Sequence, residues 1–136
     1  MLIRNILEES ARKFDEVKAV KWLNKKEIME RSYGELMENV VSTRKGLLAE
    51  GFEGKHIALI GTSSVEWMES YLGIITGCTT AVPLDAALPC EDLIDLLNRS
   101  DSAALFLSPK LRPYLDAFLE NCPKLQKVWM LQEEVE

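Results

Sequence analysis

The sequence is poor in the residues that most often carry chemistry. Its 136 residues include one histidine, His56, and three cysteines, Cys78, Cys90 and Cys122. The cysteines stand 12 and 32 residues apart, and none has the histidine close by in sequence. Structural zinc needs clustered thiolates or imidazoles to complete its tetrahedron, so this spacing excludes the common zinc modules. A cysteine nucleophile needs an adjacent base, which is also missing. Odd, scattered thiols suit a reducing compartment, where each reads as a small buried or half-buried hydrophobe.

Long apolar runs are lacking too. The most apolar stretch, Tyr71 to Leu84, is broken by Gly73, Gly77, Pro83 and three threonines. It falls short of the roughly 20 residues that span a bilayer, so no transmembrane segment is expected. Met1-Leu2-Ile3-Arg4-Asn5 has neither the charged start nor the apolar centre of a secretory signal. The expected location is cytoplasmic.

Positive charge is in deficit. Sixteen Lys and Arg stand against 22 Asp and Glu, a net charge of −6, and basic pairs such as Lys25-Lys26 and Arg44-Lys45 are never extended. That balance argues against nucleic acid as a partner. The apolar fraction of 47% and charged fraction of 28% are those of an ordinary globular domain. The length suits a single domain over 1–136.

What is present falls into two rhythms, over 1–53 and 54–136. In the first, Ile3, Ile6, Leu7, Ala11 and Phe14 recur at helical spacing. Ala19–Leu23 and Glu27–Tyr33 flank the polar turn Asn24-Lys25-Lys26 and predict a β-hairpin. Ser32-Tyr33-Gly34-Glu35 has capping-box spacing, and Gly51 supplies a left-handed stop. The helix between them is expected to carry Leu36, Met37, Val40, Val41, Leu47 and Leu48 on one apolar stripe.

In the second, four short apolar runs begin at Ile57, Thr80, Ala103 and Val128, about 23 residues apart. Helical segments lie between them at Val65–Cys78, Cys90–Arg99 and Pro109–Cys122. Strands apolar on both faces and alternating with helices predict an α/β fold, a mostly parallel sheet with helices on both faces. Trp67, Met68, Tyr71, Leu72, Ile74 and Ile75 should make the first of these helices the most buried. Leu111, Tyr114, Leu115, Phe118 and Leu119 should line one face of the last, behind a Ser108 cap and Pro109.

Such a sheet invites a nucleotide, but Gly61-Thr62-Ser63-Ser64 has one glycine where dinucleotide and phosphate loops need several, and the next lysine is Lys110. Ser63 to Glu66 fits a helix cap instead. Asp85 reads as a turn residue, and Glu91 and Asp92 complement the positive end of a helix. His56 is expected at the solvent end of a strand, and Trp22, Trp67 and Trp129 in or beside the core. No catalytic, cofactor-binding or metal-ligating residue is assigned.

Taken together, Ser32-Tyr33-Gly34-Glu35-Leu36, Gly46-Leu47-Leu48 and Gly54-Lys55-His56-Ile57-Ala58-Leu59-Ile60 form a recognisable series. It continues through Ser64-Val65-Glu66-Trp67, Leu72–Cys78, Thr80-Ala81-Val82-Pro83-Leu84-Asp85 and Leu93–Ser100. In order and spacing these blocks resemble the amino-terminal region of acyl-adenylate-forming enzymes, the AMP-dependent synthetases and ligases that include acyl-CoA synthetases. Ala86 stands where such sequences usually continue with proline, and Thr62-Ser63 where they carry proline-asparagine.

The resemblance implies activation of a carboxylic acid with Mg-ATP to an acyl-AMP, then acyl transfer, commonly to coenzyme A, in settings such as fatty acid metabolism. It places the phosphate loop, metal ligand and mobile lysine further along the chain of such ligases. The chain is therefore expected to be an inactive amino-terminal piece whose partner is the remainder of a ligase, with exposed apolar surface favouring self-association. The alternative is a free-standing α/β interaction or small-ligand module.

Overall fold

The computed structural model describes residues 3–24 and 26–131. Helix α1 (Ile3–Lys13) leads into strands β1 (Lys18–Asn24) and β2 (Glu27–Ser32), which pair antiparallel as the expected hairpin. Its turn falls partly on Lys25, outside the described residues.

Helix α2 (Tyr33–Ala49) starts on a complete capping box: the Ser32 hydroxyl accepts from Glu35 N–H, and Glu35 Oε1 accepts from Ser32 N–H. The chain leaves the helix through Gly51 at φ 81°, as a left-handed stop requires. Leu36, Val40 and Leu47 are buried, but Leu48 is 58% exposed. One residue turns the helix by about 100°, so Leu48 leaves the stripe that Leu47 occupies.

Then come β3 (His56–Gly61), α3 (Val65–Ile75), β4 (Thr80–Asp85), α4 (Cys90–Arg99), β5 (Ser102–Leu107), a 3₁₀ segment (Pro109–Tyr114), α5 (Leu115–Asn121) and β6 (Lys127–Met130). The four strands form one parallel sheet in the order β4-β3-β5-β6. Pro83 is tolerated because β4 is an edge.

Helices cover both faces. On one, Ala58, Ile60, Leu105 and Leu107 pack with Leu93 and Leu97 of α4 and Phe118 of α5. On the other, Ile57 and Ala104 pack with Leu47 of α2, Phe52 and Ile74 of α3. Central strands β3 and β5 are therefore buried on both sides.

The last helix departs from its expected form. Pro113 has no N–H for an α-helical bond and its ring would clash with the Pro109 carbonyl, so the first turns wind as 3₁₀. Ser108 forms no side-chain cap bond to it. The tighter winding shifts the phase: Leu111, Tyr114, Leu115 and Phe118 still reach the core, while Leu119 turns 52% toward solvent. Helix α3 ends at Ile75, short of Cys78, and Cys78 is exposed rather than buried or half-buried. Cys90 is half-buried and Cys122 buried.

Candidate functional site

In a doubly wound sheet, ligands gather beyond the carboxyl ends of the strands where the strand order reverses. Here that point lies between β3 and β5, which the chain fills first on one side and then on the other. The crevice is closed by protein. A Cβ on Gly61 would stand 3.2 Å from each of Trp67 Cδ1, Ser108 Cβ and Leu131 Cδ1. Ser108 N–H bonds the Ile60 carbonyl at 2.9 Å, drawing the two strand ends together. Trp67 is held by stacking on Tyr71, with ring centres 5.3 Å apart and 8° between planes. The backbone at Gly61 is thus covered by packed side chains, which leaves no room there even for a methyl group without a shift of its neighbours.

The residues after β3 serve α3. The cap is Ser64, whose hydroxyl accepts from Trp67 N–H at 3.0 Å, one residue later than the expected Ser63 to Glu66 pairing. Asp85 takes its turn role, with Oδ1 accepting from Ala87 N–H at 2.9 Å. His56 sits exposed at the start of β3, its Nδ1 2.7 Å from the Ser100 carbonyl. Trp22, Trp67 and Trp129 are all half-buried. Among the described residues, no three His, Cys, Asp or Glu side chains are grouped to hold a metal ion.

A larger space opens elsewhere. A chamber of about 500 Å³ lies between the hairpin, α2, α3 and the ends of β5 and β6, lined by Arg31, Asn39, Thr43, Glu69, Phe106 and Trp129 among others. Its apolar side is the stacked pair Phe106 and Trp129, with ring centres 5.0 Å apart. Its polar side is built around Glu69 of α3, which is 5% exposed. Asn39 Nδ2 donates to Glu69 Oε2 at 2.6 Å, and Arg31 Nε lies 3.1 Å from the same oxygen. Burial pushes the Glu69 carboxyl above the usual range, with Asn39 and Arg31 pulling the other way.

Sequence reasoning saw α3 as the most buried helix, and it carries five buried residues against three in α2. Of the residues expected to be buried, Ile74 is, while Trp67, Met68, Tyr71, Leu72 and Ile75 are half-buried and Glu69, Ser70 and Gly73 are buried in their place. Glu69 and Arg31 were missed because their relation is tertiary, spanning β2 and α3. The available signal was the row Val65, Glu69, Gly73 at spacing of four, with Gly73 marking a close helix crossing.

The comparisons agree with this architecture. The family model for the AMP-binding enzyme matches residues 7–135. The amino-terminal domain of FACL13 from Mycobacterium tuberculosis superposes with a TM-score of 0.85 at 19% identity, covering 96% of this chain and 34% of that one. A long-chain-fatty-acid-CoA ligase from Archaeoglobus fulgidus gives 0.82 at 20% identity, with coverage of 97% and 27%. An anthranilate CoA ligase in complex with anthranoyl-AMP gives 0.82 at 19% identity, with coverage of 93% and 24%. No curated protein matches. The chain spans about a quarter to a third of these solved structures. With its helix, hairpin and doubly covered parallel sheet, the chain belongs to the AMP-binding enzyme family.

Proposed function

We propose that this chain is the amino-terminal part of an acyl-activating ligase that joins a carboxylic acid to AMP and passes the acyl group to coenzyme A. The observation that supports this most is the family match over residues 7–135, carried by a fold shared with CoA ligases. Neighbours described as a fatty acyl CoA synthetase and as long-chain-fatty-acid CoA ligases make fatty acid metabolism the proposed setting. The scattered free thiols fit a cytoplasmic location. Among the described residues, no helix is long and apolar enough to cross a membrane.

Mg-ATP would supply the adenylyl group and a leaving pyrophosphate. The residues after β3 do not fit that group: Gly61 is covered by Trp67, Ser108 and Leu131, and Ser64 is committed to a helix cap. We therefore assign ATP, the metal and coenzyme A to the remainder of the ligase, and no chemical step to these 136 residues. Their contribution is a scaffold: a rigid sheet whose edge strand β6 and adjoining chamber face that remainder.

The test is ATP–pyrophosphate exchange with a carboxylic acid panel. The 136-residue chain should show none, and a longer product of the same gene should show exchange that requires this segment. Exchange by the short chain would overturn the scaffold reading. A stop codon directly after Glu136 would leave the free-standing module instead. Six large apolar side chains are exposed in residues 3–28. They make self-association of the isolated chain the expected result in sedimentation at rising concentration.

A further inference from the structure

Glu69 ties three elements together, and the bond to one of them differs in kind from the other. The Asn39 amide of α2 donates a directed hydrogen bond to Oε2. Arg31 of β2 is also within hydrogen-bond distance, with Nε at 3.1 Å, yet that buried N–H makes no hydrogen bond. The N–H is not aimed along the short line to the carboxylate, so the contact is charge attraction without direction. The other face of the guanidinium lies over Trp22, with Cζ 5.3 Å from the ring centre.

Arg31 thus sits between a ring and a carboxylate. Arginine keeps its charge throughout the accessible pH range, so its attraction to the ring persists. Its attraction to Glu69 lasts only while Glu69 is ionised. The neighbours of that carboxyl are of both signs. Burial raises its hold on a proton, Asn39 and Arg31 oppose this, and Glu66 of α3 and Glu35 of α2 add to it. The Asn39 bond does not depend on charge, because a protonated carboxyl still offers a carbonyl oxygen.

The hairpin has few other anchors. Lys18 and Lys21 pair with Glu30 within the hairpin itself. Leu23 and Ile28, opposite one another near its tip, are 69% and 73% exposed. Its base is fixed through the bond from Tyr33 N–H to the Val17 carbonyl. A two-stranded ribbon is marginal without such support.

We propose that Glu69 is a proton-operated tether: ionised, it holds Arg31 and with it the hairpin against α2 and α3; protonated, it releases Arg31 to Trp22 and frees the hairpin at the chamber wall. The test is amide hydrogen exchange on the 136-residue chain between pH 7 and pH 4.5, corrected for intrinsic rates and read against β3 and β5 amides. In the parent chain, hairpin amides should exchange about fivefold faster at the acid end, the scale of one lost ion pair. Glu69→Gln keeps the shape and the Asn39 bond without the charge, so it should show the faster rates already at pH 7 and no transition. Arg31→Lys keeps a charge in place and should retain the transition. A transition surviving in Glu69→Gln would assign it to another carboxyl and overturn the tether. So would parent rates at pH 7 equal to those of Glu69→Gln, or a loss of the transition in Arg31→Lys.

Discussion

The two halves of the chain solve the problem of hiding apolar surface to very different degrees. From β3 onward, central strands carry runs such as Ile57–Ile60 and Ala103–Leu105 with essentially no exposure, because helices close both faces of the sheet. Before it, α1 has no buried residue, and Ile3, Ile6, Phe14, Val17, Leu23 and Ile28 are all at least half exposed. A parallel sheet needs both faces covered to exist, whereas a helix and a two-stranded ribbon bury only the side that touches a neighbour. Cohesion is therefore concentrated in the sheet, and the leading elements are attached to it through α2 and a few polar ties.

Truncations should expose that contrast most sharply. Phe118 is fully buried against α4 and the sheet, so Phe118→Ala should cost about 3–5 kcal/mol in urea unfolding. Ile28→Ala removes an apolar side chain of similar standing in sequence terms, yet it should change stability by less than about 0.5 kcal/mol. Equal losses at the two positions would mean that the hairpin is packed in solution by something the chain itself does not provide.

The seam between the halves is the α2–α3 crossing. A Cβ on Gly73 would stand 2.5 Å from Thr43 Cβ, 2.6 Å from its Cγ2 and 3.0 Å from the Val40 carbonyl. Gly73→Val should therefore cost about 2–3 kcal/mol by overpacking. Thr43→Ala should restore part of it in a double-mutant cycle, since the two positions touch. Strict additivity would place the strain elsewhere. The start of the same helix is a smaller lever: Ser32→Ala removes one side of the capping box and should cost about 1 kcal/mol, read as a lower thermal midpoint.

Glu69 gives the seam a pH dependence of definite sign. Burial makes its folded-state carboxyl bind a proton more readily than an ordinary glutamate, so its contribution to stability is present below the ordinary glutamate range and lost as pH rises through the raised one. In global urea unfolding Glu69→Gln should accordingly be the more stable protein at pH 7, since it removes a buried charge even as its hairpin opens locally more often, with the global difference closing on acidification. A Glu69→Gln variant that is instead the less stable protein at pH 7, again converging with the parent toward acid, would mean that the ion pair with Arg31 outweighs burial.

Much of this organisation is legible in local sequence because local physics decides it. Ser32 and Glu35 cap α2 by reach alone, Gly51 stops it by conformation, and the continuous apolar runs mark strands covered on both sides. Cys90–Arg99 forms a helix with the boundaries its periodicity implies. What was not legible depends on distant partners or on accumulated phase. Leu48 and Leu119 look like stripe members until one residue of rotation, or one 3₁₀ segment, turns them outward. Glu69 looks like a misplaced charge on an apolar helix until Arg31 and Asn39, both more than two dozen residues away, are folded against it.

The smallest effect expected lies at the other end of the sheet, and its sign separates two costs. Asp101 follows the cap of α4 with φ 53°, the left-handed region, where a Cβ crowds the backbone. Lys124 bonds its carboxylate and holds its pKa below the usual range, but the pair is fully solvated. Asp101→Gly removes the crowding, worth up to about 1 kcal/mol for a residue as tolerant as Asp. It also frees the unfolded chain, at roughly 0.5–1 kcal/mol. The two nearly cancel, so the variant should lie within about 0.5 kcal/mol of the parent. Asp101→Val meets both difficulties, a branched side chain and no polar compensation, and should lose about 1–2 kcal/mol. If Asp101→Gly instead matched the Val loss, the Lys124 contact rather than backbone geometry would be holding the α4–β5 turn. The sheet half would then depend on a surface ion pair as the hairpin half depends on a buried one.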